Sequence, residues 1–417
     1  MGGAAGHLWH LYDNPNLTFG DLKKMLTLAS QGRLENATEK LDGQALHVTW
    51  ENGELRAARN KGDIKNGGMN ASQLAAKFAG RGAVHDAFTT SFDVLERAVV
   101  DLSNKSDIFG GSNRVIWYPI EIVYSQNPNV INYDKNYIVF HESPLIVTDN
   151  TGTVVDEDVS DNLAMFMNYA NTMQDRTKQQ NWNVQKPVLA SMQQMSDGSL
   201  LQAVLASVNS VMQSGDVGDK NTIGDYLVNQ ILHNELEDLD APIEDKLALA
   251  SKLAGLSDTN LVAIKKKFNK SKHKFISQLN SSKNKIILNY IEPLEMAINE
   301  FAIALLQGMK SVFISDNEKE VERLQKTTQS AIDAIEASGN EDAMEILSKQ
   351  LKKLGSIKNI TSPSEGIVFK YKDNFYKFTG AFASINQILG LFKYGRGNIP
   401  AMSESNETLL RQFIKML

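Results

Sequence analysis

The stretch Thr38-Glu39-Lys40-Leu41-Asp42-Gly43 sets an amine and a carboxylate two residues apart. In an extended strand such residues share a face, so Lys40 and Asp42 are expected to point the same way. A lysine amine attacks an electrophile only when deprotonated, and that takes burial or neighbouring cations to lower its pKa. The bland reading of the same residues is a surface Lys–Asp pair beside a turn. A second candidate lies far along the chain. Ile367–Lys372 and Phe375–Phe378 read as a hairpin turning at Asp373-Asn374, a register that puts Lys370 directly opposite Lys377. Facing lysines repel, so the pair makes chemical sense where both amines converge on a phosphate; an exposed face or a three-residue turn is the alternative. A third candidate is electrostatic. Lys265, Lys266, Lys267, Lys270, Lys272, Lys274, Lys283 and Lys285 follow one another with no Asp or Glu between, and Phe268 and Phe275 interleave. Such a run grips a phosphate backbone with salt-sensitive affinity, or is a solvated helix face whose phenylalanines pack inward.

The elements that must position these residues change in texture twice. Residues 1–157 mix short β-like runs with Gly, Asn and Asp turns, 158–355 read as helix after helix, and 356–417 return to β-like runs before a helical end. Thr18 and Asp21 mark the start of a first helix with Leu22, Met25 and Leu26 as its apolar stripe and Gly32 at its close. His47–Trp50 and Leu55–Arg59 flank Asn52-Gly53, a strong hairpin signal. Val115–Tyr124 and Tyr137–Phe140 are further strand candidates. Helical spacing is clear in Leu294, Ile298, Phe301 and Leu305, and again in Val321, Leu324, Ala331 and Ile335. The pattern predicts an α+β protein in which a large all-helical segment interrupts a domain built on antiparallel strands.

Composition narrows the function classes. With 43 Lys+Arg against 49 Asp+Glu the net charge is −6, which argues against wholesale coating of nucleic acid but not against a local basic patch. The absence of cysteine removes disulfides, thiolate metal sites and cysteine nucleophiles, and fits a reducing compartment. Met1-Gly-Gly-Ala-Ala-Gly-His7 lacks the basic and apolar blocks of a signal peptide. No apolar run approaches the ~20 residues that span a bilayer, so the expectation is a cytoplasmic protein without a membrane partner. His7 and His10 have no matched acidic or thiol partners and are not expected to bind metal; His47 and His85 read as packing or surface residues.

Six ordered segments resemble the covalent nucleotidyltransferase superfamily, which comprises the ATP-dependent DNA and RNA ligases and the RNA capping enzymes, and they are most similar to phage RNA-ligase-like proteins. Glu39-Lys40-Leu41-Asp42-Gly43 looks like the first motif, whose lysine attacks the α-phosphate. The resemblance makes Lys40 and Asp42 catalytic and Glu39 part of the nucleotide site. Arg59, in Leu55–Gly62, matches the arginine that contacts the nucleotide or the nucleic-acid end. Glu121, in Ile120–Val123, matches the glutamate that engages ribose or metal, and Phe140, in Tyr137–Phe140, the ring that stacks on the purine. Glu365-Gly366-Ile367-Val368-Phe369-Lys370 resembles the fourth motif, implying Glu365 near a metal and Lys370 near phosphate; Lys377 in Phe375–Phe378 would be a further phosphate ligand.

What the resemblance implies is a ligase-type fold (the antiparallel, ATP-grasp-like nucleotidyltransferase domain) in 1–157 and 356–417, with 158–355 inserted. It implies ATP and Mg²⁺ as cofactors, Glu121 and Glu365 as metal carboxylates, and a covalent lysyl-AMP passed to a 5′-phosphate end for joining to a 3′-hydroxyl. Ala45 stands where DNA ligases commonly carry arginine and many RNA ligases asparagine, Thr379 replaces the second lysine of the last motif, and 40 residues follow Lys377. That is too few for an appended OB-fold domain, which favours RNA over DNA as partner. Lys265, Lys266, Lys267, Lys270, Lys272 and Lys274 are the expected nucleic-acid contacts. The alternatives are a DNA ligase that uses the helical segment as a clamp, and a phage binding or structural protein that keeps the fold without transfer. A viral protein of either kind would work in the host cytoplasm.

Overall fold

Asn52 and Gly53 both adopt positive φ, 52° and 83°, the turn whose twist matches that of two paired strands. The hairpin it makes is the edge of the larger of two sheets in a computed structural model. The structure describes residues 8–394 except 36, 112, 127–128, 142–144, 156–158, 178–180, 187–191, 193, 310–312 and 373. The strands are β1 (Trp9–His10), β2 (Thr38–Lys40), β3 (Gln44–Glu51), β4 (Glu54–Ala58), β5 (Arg114–Val123), β6 (Asn136–Phe140), β7 (Ile146–Asp149), β8 (Val154–Val155), β9 (Trp182–Gln185), β10 (Gly366–Tyr371) and β11 (Asn374–Phe378). One sheet has the order β1-β11-β10-β2; the other runs β4-β3-β5-β6-β9, with β7 pairing β5 and β8 beyond it. All pairings are antiparallel except β1 with β11 and β6 with β9. The architecture is therefore α+β with mainly antiparallel sheets.

Alternation along the strands assigns each face. Leu46, Val48, Ile120, Ile122, Ile138 and Phe140 bury one face of the larger sheet against the helices Ala83–Val100 and Ser160–Thr177. Ile367, Phe369, Tyr376 and Phe378 bury one face of the smaller sheet. Their partners are the helix Phe19–Ser30 and the helices Gly198–Ser214, Ile223–Asn234, Ile243–Leu253 and His273–Met309. A third core joins the helices Glu318–Ser338, Glu341–Leu354 and Gly380–Tyr394 to Leu41, Val123 and Val139.

The helical signals hold where they were strongest. Thr18 caps its helix by accepting the Asp21 N–H at 3.1 Å, and Leu294, Ile298, Phe301 and Leu305 are buried along the 37-residue helix. The all-helical reading of 158–355 needs correction. Helix Ser160–Thr177 packs under the larger sheet, and Trp182–Gln185 is a strand paired with β6. The expected boundary at 157 falls outside the described residues. The helices from Gly198 to Met309 share one core with the smaller sheet, so they are continuous with it, not a separate unit. Among the described residues no helix is long and apolar enough to cross a membrane.

Candidate functional site

Lys40 is the last residue of β2 and pairs with Gly366 at the start of β10. That register puts Glu365 beside the amine, and Lys40 Nζ forms an ion pair with Glu365 Oε1 across 325 residues of chain. Gly366 has φ of 132°, and a side chain there would collide with the Phe378 carbonyl, so the close pairing that delivers Glu365 needs glycine. The two side chains are 20% and 17% exposed. Burial alone would pull the Lys40 pKa down, but the carboxylates of Glu365, Glu121 and Asp42 outweigh it and hold the amine above its ordinary value. Burial pushes the Glu365 carboxyl up to about 7 against the pull of Lys40, with Asp42 and Glu121 adding to the rise. A deprotonated Lys40 is what nucleophilic attack requires; here the amine is protonated and paired.

Asp42 does not continue the strand face of Lys40 as expected. The strand ends at Lys40, and Asp42 Oδ2 accepts the backbone N–H of Val130 at 2.7 Å and of Ile131 at 2.9 Å. Its own N–H donates to the Tyr133 hydroxyl at 3.0 Å. Glu320 accepts the next N–H, from Asn132, at 2.8 Å. Asp42 is thus a positioning residue whose charge still reaches Lys40. Gly43 lies so close to β5 that a Cβ would sit 2.7 Å from the Ile122 carbonyl and 2.8 Å from Glu121 Cγ. This contact brings Glu121 to the site, where His141 Nε2 stands 3.7 Å from its carboxylate.

Arg59 follows β4. Its guanidinium donates to the Ala45 carbonyl and lies 5.1 Å from the centre of the Phe88 ring. Burial lowers its pKa, while Glu121 and Asp63 oppose that. Lys377 is half-buried on the Lys40 face of the smaller sheet; burial and the Lys40 cation lower its pKa, against Asp13 and Glu365. Lys40, Glu365, Glu121, Arg59 and Lys377 therefore form one electrostatic cluster drawn from both sheets.

Four expectations fail in detail. Lys377 pairs with Val368, and Lys370 with Phe375, so the lysines share a face diagonally and do not oppose each other. Tyr371 pairs with Asn374, one residue earlier than expected, and Lys372 has φ of 52°; residue 373 lies outside the described residues, and Lys370 is exposed. Phe140 is fully buried with its ring 4.6 Å from that of Phe166, in the core and unable to stack on a base. Glu39, adjacent to Lys40 and so on the opposite face, accepts the Ile314 N–H at 2.7 Å and the Ser315 hydroxyl at 2.5 Å instead of facing a nucleotide. Burial raises it to about 7, those hydrogen bonds opposing. His47, read from the sequence as a packing or surface residue, is 2% exposed and shares the strand face of Ala45 beside Glu121. Burial, then the nearby His141, lowers its pKa to about 4 and keeps it neutral. Its position two residues after Ala45 in a strand was the available signal; nothing in the sequence points to His141 or Tyr133.

Elsewhere, Lys265 bonds Ser277 and Lys267 pairs with Asp245 at 3.2 Å, while Lys266, Lys270 and Lys274 are exposed. Phe268 is core and Phe275 is 40% exposed, so one of the two phenylalanines packs inward as a solvated helix face would have it. His7 lies outside the described residues. Among the described residues no group of three His, Asp or Glu side chains could hold a metal by itself. Glu121 and Glu365 suit a Mg²⁺ that takes its other ligands from phosphate and water. Beside Glu365 and Lys377 opens a cleft of about 620 Å³, lined also by the helices Ile223–Asn234, His273–Met309 and Gly380–Tyr394. No protein-family model, no curated protein and no solved structure matches the chain.

Proposed function

We propose that the chain is a covalent nucleotidyltransferase of the ligase type, acting on RNA ends with ATP. The observation that carries this reading is the meeting of Lys40, Arg59 and Glu121 with Glu365 and Lys377, two groups more than 240 residues apart in the chain whose charges act on one another. In the first step Lys40 Nζ attacks the α-phosphorus of ATP, a P–N bond forms, the bond to the bridging oxygen breaks, and pyrophosphate leaves with the electron pair. Phosphoryl-type transfer is governed by positioning and charge. Lys377 and Arg59 supply fixed cations for the phosphates. Mg²⁺, held by Glu121 and Glu365, would supply further positive charge when bound. Lys40 becomes a nucleophile by passing its ammonium proton to the paired Glu365 carboxylate, whose proton affinity burial raises, and from there to solvent; burial favours the neutral amine that remains. The AMP then passes to a 5′-phosphate, and a 3′-hydroxyl displaces it.

The protonated, paired Lys40 favours a second reading, a nucleotide- or nucleic-acid-binding protein that no longer transfers. Incubation with α-labelled ATP or GTP and Mg²⁺, followed by denaturation, separates the two. Label from ATP that is retained by the wild type and absent from Lys40→Ala supports transfer, and nick sealing on RNA against DNA then settles the partner. Label from GTP alone would move the chemistry to capping, and no label from protein freed of nucleotide would leave the binding reading.

A further inference from the structure

The cleft beside Glu365 and Lys377 extends well past the cluster around Lys40. Its volume of about 620 Å³ lies within the range of ligand sites, roughly 300–1,000 Å³, enough for one or two nucleosides. Its charges do not suit a length of phosphate backbone. Asp13, Glu295 and Glu365 outnumber Lys353 and Lys377 along its walls, and Glu295 is already paired with Lys353 at 2.8 Å. Between the charged groups stand neutral hydrogen-bonding side chains: Asn299, Gln350, Ser384, Asn386 and Gln387. Ser384 is 1% exposed and its hydroxyl has no hydrogen-bond partner among the described residues. An unmade bond at a buried hydroxyl costs free energy, and a polar ligand in the cleft would recover it. Ile223, Leu227, Ile287 and Ile291 make part of its lining apolar. His10 and Tyr12, stacked with ring centres 5.0 Å apart, add an aromatic wall.

We infer that this cleft binds the 3′-terminal nucleoside of the acceptor strand, with its hydroxyls toward Glu365 and Lys377 and its base among the amide side chains and the aromatic wall. The class follows from the lining. Amides pair with base edges, aromatic walls accept any base by stacking, and the carboxylate excess limits the ligand to one or two phosphates. The strand beyond its terminal residues leaves the cleft by the mouth, where Leu288 is 62% exposed. The helical segment, which shares a core with the smaller sheet, thereby completes the substrate site. This assignment rests on the reading of Lys40 as the nucleotidylated residue for the word acceptor, but not for the binding itself.

The test is calorimetric titration of the full chain with the dinucleoside monophosphate ApA, which carries a free 3′-hydroxyl. Wild-type protein is expected to bind ApA in the absence of ATP and Mg²⁺. Gln387→Trp, at an exposed helical position on the cleft wall, should weaken binding by about tenfold or more, and Ser384→Ala by a few-fold. Undetectable ApA binding, binding indifferent to both cleft substitutions, or one-for-one displacement of ApA by AMP would overturn the assignment, the last making the cleft a donor-nucleotide pocket. Covalent labelling by ATP is scored separately. ApA binding with this pattern in a protein that takes no label would keep the nucleoside site and remove the transferase reading; label without ApA binding would do the reverse.

Discussion

Lys40 and Lys377 on the smaller sheet, and Lys266, Lys270 and Lys274 around the start of the helix His273–Met309, are the same side chain in opposite surroundings. The first two are part-buried, act on each other, and have pKa values moved in opposite directions by burial and by nearby carboxylates. The other three stand in solvent amid a run of like charge. Counting charges along the chain makes the second group the more conspicuous. The first group is where a protonation state can be tuned, because only there does water not screen the neighbours. Charge density marks a surface, whereas burial beside an opposite charge marks a candidate reaction centre.

That contrast can be broken most severely at its geometric origin. Gly366→Ala puts a methyl group against the Phe378 carbonyl at a φ that side chains avoid. A loss of about 3 kcal/mol or more is expected from strain and overpacking together, read as the shift of the urea midpoint. A change of that size at Gly53 is not expected, since nothing lies within 4 Å of its missing side chain.

The next largest effect is pH-dependent. Glu39 rises from 4.5 to about 7 on folding, so between those values the folded state binds more protons and stability falls as pH rises. Wild type should lose about 3 kcal/mol between pH 4.5 and pH 7 through this group, and Glu39→Gln should remove that part of the slope. Equal pH profiles for the two proteins would show that the carboxyl is already ionised when folded.

A smaller effect sharpens the comparison directly. Glu365 is the largest influence raising Lys40, so Glu365→Gln should lower the amine's pKa and raise its rate of acylation at pH 8, by about tenfold for each unit. Lys266 and Lys270, followed by mass spectrometry in the same samples, should not change. The smallest effect on stability belongs to the exposed group. Replacing Lys266, Lys270 and Lys274 with glutamine should leave the urea midpoint unchanged. If these lysines touch single-stranded RNA, the same variant should reduce the salt slope of binding by about 2.

Much of this was legible along the chain. The Asn52-Gly53 hairpin, the capped first helix, strands β5 and β6 and the association of Lys40 with Glu365 all follow from local turn chemistry, periodicity or motif order. Other features were set by partners that sequence spacing does not reveal. Phe140 alternates correctly as a strand residue, but alternation does not say which face looks onto a core, and Phe166 decides that. Glu39 is fixed by Ser315, 276 residues away. Lys370 and Lys377 were misaligned because Lys372 accepts a left-handed conformation and the pairing moves by one residue. Strand β9, four residues long between helices, carries too little pattern to be separated from them.

The pairing of β2 with β10 has a consequence in time. Among the described residues β2 has β10 as its strand partner, and Glu365 emerges 325 residues after Lys40. At about 5–20 residues per second of synthesis, a ribosome takes on the order of 20–60 s to deliver the second after the first. Throughout that interval the larger sheet can form from its own contiguous strands, while the Lys40 strand waits without a partner. A chain cut short before β10 would carry Lys40 and most of the folded mass, yet could not form the Lys40–Glu365 pair. Completion of the chain is therefore the event that brings Lys40 and Glu365 together.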